Sequence, residues 1–165
     1  MDYRILQNFK ILEGVNQDGL EQIWQRLSDV ELERGRNLFE EGSVGYSLYF
    51  LVSGSVKISQ KLTLLGEEMA AEVRDKTLIS LNASDYPIFG EMALLESGKR
   101  SATVTSLEFC KLKELSRENF EEMIFTHQTL GVPLLLNLSK MISVRLANAN
   151  QNVLKLTTAL SIALS

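Results

Sequence analysis

The chain has 165 residues, is 45% hydrophobic and 23% charged, and carries a formal net charge of −4. That length and balance predict one globular domain with a sizeable core, and the absence of a Lys/Arg surplus argues against nucleic acid as a partner. A single cysteine, Cys110, precludes an internal disulfide and fits a reducing cytoplasm.

The first ten residues, MDYRILQNFK, lack a basic-then-apolar signal pattern. Only the C-terminal end approaches the apolar length of a membrane span, and Asn, Ser and Thr interrupt it. The expectation is a soluble cytoplasmic protein without membrane contact. Asp18 is a candidate cap for a helix to about Asp29, with Leu20, Ile23, Trp24 and Leu27 on one face. At that spacing Trp24 reads as packing rather than as a stacking platform for a base.

From Val30 to Leu115 the pattern changes to short runs with period-2 alternation. Leu48, Phe50 and Val52 point one way, and Tyr49 and Leu51 the other. Val56 and Ile58, then Leu78, Ile79 and Leu81, repeat the habit, and glycines at 35, 42, 45, 54 and 66 punctuate it. The acidic run from Glu31 to Glu41, interspersed with Arg34 and Arg36, reads as a solvated strand-and-turn face. Many short strands with glycine turns predict a mainly β fold flanked by helices, either a sandwich or a jelly-roll barrel.

The periodicity then switches. Ser116 precedes a short capped helix carrying Phe120, Met123 and Ile124. Past Gly131 and Pro133 a long helix is expected to about Leu160, with a stripe of Leu135, Leu138, Ile142, Leu146, Ala149, Val153, Leu156 and Leu160. The stripe is either core within one molecule or a seam between two copies. A small domain seldom covers so long a seam, which favours a homodimer through this helix. The domain division is 1–130 for the β unit with its helices and 131–165 for a C-terminal lid and dimerisation helix.

One stretch, FGEMALLESGKRSATV, gathers a carboxylate, an arginine and two glycines. Glu91 to Leu95 predicts a single helical turn whose first amides lack internal partners and attract an anion. Gly90 allows close backbone approach, and Arg100 supplies a planar fork suited to phosphate oxygens. Ser101 adds a hydroxyl and an amide, and Glu91, an acceptor only, suits a sugar hydroxyl. Phosphate plus sugar points to a nucleotide. The plainer alternative is that Glu91 and Arg100 pair with each other across the loop.

This stretch resembles the phosphate-binding cassette of the cyclic nucleotide-binding domain family, of the catabolite activator and protein kinase A regulatory-subunit type. The family pattern is Phe-Gly-Glu, a small residue, Leu-Leu, a short loop, then Arg-Ser/Ala/Thr-Ala-Thr-Val. EEGSVGYSLYFLVSGSVKI, with Gly42, Tyr49 and Gly54, resembles its earlier hairpin, and CKLKELSRENFEEM its last strand and following helix. The resemblance implies that Arg100 binds a cyclic phosphate, Glu91 a ribose hydroxyl, and the amides of Met92, Ala93 and Ser101 complete the cradle, with Gly90 permitting it. Asn150, four residues past the Arg145-Leu146 pair, is either a base contact or a solvated helix residue. Two segments depart from the pattern: NASDYPIFGE lacks the usual Gly-Asp or Gly-Glu pair, and HQTLGVP is a longer linker than in the activators.

The implied fold is an eight-stranded jelly-roll barrel with helices before and after it. The implied function is a cyclic nucleotide sensor, for cyclic AMP with cyclic GMP as the other candidate, that signals through its C-terminal helix to an output protein the sequence does not name. No cofactor and no metal cluster is expected. Cys110 and His127 form a catalytic pair only on paper, so no enzymatic activity is expected. The chain reads as a stand-alone sensor or a fragment of a larger protein. The alternative is a degenerate barrel that binds no nucleotide and acts as a dimeric interaction module.

Overall fold

The computed structural model describes residues 2–62, 74–96 and 98–164. Gly66, expected at a turn, and Ser97, within the cassette, lie outside the described residues. After two short 3-10 turns comes helix α1, Gln17–Gln25, followed by β1 (Ser28–Leu32), β2 (Asn37–Phe39), β3 (Ser47–Ser53) and β4 (Ser55–Leu62). Then follow β5 (Arg74–Asn82), β6 (Ile88–Phe89), α2 (Glu91–Leu95), β7 (Thr103–Ser106), β8 (Cys110–Ser116), α3 (Arg117–Thr126) and α4 (Gln128–Ala163).

The strands form two antiparallel sheets, ordered β1-β8-β3-β6 and β2-β7-β4-β5. Among the described residues no ladder joins one sheet to the other, so the expected barrel is a pair of facing sheets rather than a closed ring. The alternation of β3 explains the layering. Tyr49 and Leu51 enter a core with Leu32, Val56, Phe89, Val104 and Leu112, residues drawn from both sheets. Leu48, Phe50 and Val52 enter a second core shared with the helices, including Leu20, Ile23, Phe120, Met123, Leu134 and Leu138. β3 is therefore apolar on both faces because it is buried on both sides, as are its neighbours β6 and, in part, β8.

Two helix boundaries differ from the sequence expectation. Asn16, not Asp18, caps α1, accepting from the Gly19 amide at 2.8 Å, and Asp18 sits in the first turn where a carboxylate suits the helix dipole. The helix stops at Gln25 because Ser28 to Leu32 is claimed by pairing with β8. α4 starts at Gln128, so HQTLGVP is mostly helix, and Gly131 and Pro133 lie inside it. An interior proline costs roughly 3 kcal/mol. Burial of Leu130, Leu134 and Leu138 in the same turns offsets it. Ser116 caps α3 as expected, accepting from the Asn119 amide at 3.2 Å. Trp24 is a packing residue: the Lys113 ammonium lies 3.8 Å from its ring centroid and pairs with Asp29 at 2.8 Å. By length and composition alone α4 is apolar enough to cross a membrane, although its first turns are used as core.

Candidate ligand-binding site

β6 leads straight into α2 through Gly90, whose φ of 87° is left-handed. A Cβ there would stand 2.8 Å from both Arg100 Nη1 and the Ser47 carbonyl, so the turn needs glycine for its dihedral and for space. The segment before β6 solves its own turn without glycine. Asn82 caps a 3-10 turn over Ala83–Asp85, and Tyr86 takes φ 48° with its ring edge-on to Phe9 at 5.4 Å.

The glycine-rich segment 42–45 holds Arg100 from the other side. Its backbone exchanges bonds with the Arg100 strand: Gly42 N–H to Arg100 carbonyl and Arg100 N–H to Ser43 carbonyl, both at 2.8 Å. A Cβ on Gly45 would meet Arg100 Nη2 at 2.7 Å. Two of the three sequence blocks that carry the family resemblance are thus two walls of one guanidinium slot.

Arg100 is 4% exposed. Nη1 donates to the Ser47 carbonyl at 2.8 Å, while Nε has no hydrogen-bond partner. The guanidinium lies 4.1 Å from the Phe39 ring centroid and 5.5 Å from that of Tyr49. Burial pulls its pKa below the usual value, opposed by the nearby Tyr49 and Glu114. Even so lowered, an arginine stays cationic at neutral pH. Among the described residues no carboxylate pairs with it. A buried cation with an unsatisfied donor is costly, and an anion would relieve that cost.

Arg100 forms the polar end of a cavity of ≈ 460 Å³. Gly90, Glu91, Met92, Ala93 and Ser101 line the same cavity, so six of the seven expected site residues come together. Phe39, Ile58, Leu78, Phe89 and Val104 supply apolar walls suited to a flat heterocycle. A broader groove of ≈ 750 Å³ beside Tyr46 and Phe125 shares no lining residue with it.

From α4 the cavity receives Arg145 and Ala149, not Asn150. Positions four apart share a helix face, and Asn150, one residue on, is turned about 100° away and is exposed. Arg145 is the residue that sequence reasoning missed. Its Nη1 donates to Glu91 Oε1, and Nη2 donates to the Ile88 carbonyl at 3.0 Å. Glu91 therefore pairs with α4 and not with Arg100. Among the described residues no hydrogen bond reaches the second carboxylate oxygen of Glu91. The only sequence signal for Arg145 was a cation one residue before the stripe position Leu146.

Residues 29–127 match the family model described as Cyclic nucleotide-binding domain. The CRP-like cAMP-activated global transcriptional regulator of Mycobacterium tuberculosis is 27% identical over 149 residues, covering 90% of this chain and 60% of that protein. The cAMP-dependent protein kinase regulatory subunit of Dictyostelium discoideum is 31% identical over 118 residues, covering 72% of this chain and 34% of the subunit. Among solved structures, the Thermus thermophilus Catabolite Activator Protein aligns with a TM-score of 0.75 at 26% identity, covering 90% of this chain and 63% of that one. The chain spans less than two thirds of the length of each of these relatives. With its cassette matched and its two-sheet fold shared, the chain belongs to the cyclic nucleotide-binding domain family.

Proposed function

We propose that the chain binds a cyclic nucleotide and passes the event on through α4. The observation that carries this is Arg100, a buried cation with an unsatisfied Nε and, among the described residues, no carboxylate partner, at one end of a cavity that combines polar groups with an apolar wall. The cyclic phosphate sits against Arg100 and the first amides of α2, and the base lies along Phe39, Ile58, Phe89 and Val104. The free oxygen of Glu91 accepts the ribose hydroxyl while Arg145 keeps the other. Because Arg145 and Ala149 line the cavity, a ligand there touches α4 directly, and its differential affinity for two helix positions would move it.

Cyclic AMP is the favoured ligand. Ser101 follows Arg100, whereas threonine there often accompanies cyclic GMP preference in the family. Asn150 contacts the base only if α4 turns or a second copy presents it. The role is binding rather than catalysis: burial raises the Cys110 thiol pKa, disfavouring the nucleophilic thiolate. The protein works in the cytoplasm as a homodimer and reports to an output partner or domain.

A calorimetric titration with cyclic AMP and cyclic GMP tests this on the wild type and on Arg100→Ala. Removing one member of a desolvated charge pair costs roughly 2–5 kcal/mol, a loss of at least ~30-fold in affinity. A variant that binds like the wild type overturns the phosphate assignment. The second reading, a non-binding dimeric interaction module, draws on Arg145 already occupying part of Glu91. Uptake of neither nucleotide by the wild type would establish it.

A further inference from the structure

α2 is a single turn, so its last carbonyls have no N–H partners within the helix. One side chain from elsewhere in the sequence takes three carbonyls at that end. Arg117 Nε donates to the Leu94 carbonyl at 2.8 Å, and Nη2 donates to the carbonyls of Ala93 and Glu96, both at 2.7 Å. The guanidinium also lies over the Tyr46 ring, 4.5 Å from its centroid, and the Arg117 N–H donates to the Tyr46 carbonyl at 2.8 Å. Arg117 is the first residue of α3, so one residue fastens the end of α2 to the start of the helical arm.

We propose that Arg117 is a positioning residue for the anion end of the cavity, holding α2 so that Glu91 and the first amides of that turn face the ligand. The inference rests on the proposed function for its ligand and on the geometry above for its mechanism. A turn of five residues has too few internal bonds to fix its own axis. Three convergent bonds to a rigid fork fix it, and a cation at the C-terminal end also favours the aligned backbone dipoles. Lysine, a point charge on a flexible stem, keeps the charge and loses the fork.

The test uses the full chain with Arg117→Ala and Arg117→Lys. Hydrogen exchange of the ligand-free protein is read at the α2 amides, with β3 and β8 as internal references. Both variants should exchange at α2 about tenfold faster with the references unchanged, and cyclic AMP affinity should fall about tenfold at unchanged stoichiometry. Unchanged α2 exchange overturns the proposal. So does full recovery by lysine, which would mean charge alone is enough. Faster α2 exchange with intact affinity also overturns it, reducing Arg117 to a cap without influence on the site. If the wild type binds no cyclic nucleotide, the proposed function fails separately, and the exchange arm alone decides whether Arg117 holds α2. Should Arg117→Ala fail to fold, Arg117→Lys carries the same readings.

Discussion

Leu138 and Leu156 lie on the same apolar stripe of α4, yet Leu138 is 1% exposed and Leu156 is 68% exposed. The first turns of the helix pack Leu130, Leu134 and Leu138 into the core, and Asn137 donates to the carbonyls of Ile11 and Glu13 at 3.2 and 2.8 Å. From Ile142 onward every described residue of the helix is exposed. Within the first turn of that exposed half Arg145 is tied to Glu91 and Ile88. One periodicity thus serves two purposes. A 3.6-residue stripe records that a face needs a partner, and says nothing of whether the partner is the same molecule or another.

The largest expected effect separates the halves by stability. Leu138→Ala removes a fully enclosed side chain and should cost about 3 kcal/mol of unfolding free energy. Leu156→Ala, measured in dilute protein, should stay within ~0.5 kcal/mol. Denaturant titration of both variants reads the contrast, and equal losses would mean the distal half is also core. Next in size, Ile142→Glu should weaken self-association by roughly 2 kcal/mol while leaving a folded chain, because two carboxylates would face each other in an apolar seam. Sedimentation at several concentrations checks it. A wild type that stays monomeric at high concentration removes the seam between copies.

Local chemistry was legible in the sequence, and pairings at long range were not. The Ser116 cap, the α2 turn and the two-faced alternation of β3 each depend on residues within a few positions, and each lies where the pattern put it. The cassette was readable for the same reason, since Gly90, Glu91 and Arg100 sit on one short segment. The start of α4 was misread because proline is a local signal, while the packing that overrides it at Pro133 is tertiary. Two open sheets instead of a closed barrel follow from which strands pair, and alternation does not encode that. The Arg145–Glu91 contact joins residues 54 apart and depends on the phase of a helix whose start was misplaced.

The smallest effect sharpens the comparison at the point where the halves meet. Arg145 is 46% exposed at its side chain while Glu91 is 7% exposed, so solvent screens the pair from one side and its contribution should be modest. Its structural role is larger than its energy, because three residues past Ile142, where the exposed half of α4 begins, Arg145 ties that half to Glu91 and to the Ile88 carbonyl. Arg145→Gln should therefore leave exchange protection at 128–138 unchanged and speed exchange beyond residue 141. In a double-mutant cycle with Glu91→Gln the coupling should be about 0.5–1 kcal/mol. Additive losses, or equal loosening of both halves, would mean that α4 is held over the cavity by its own stiffness and not by this ion pair.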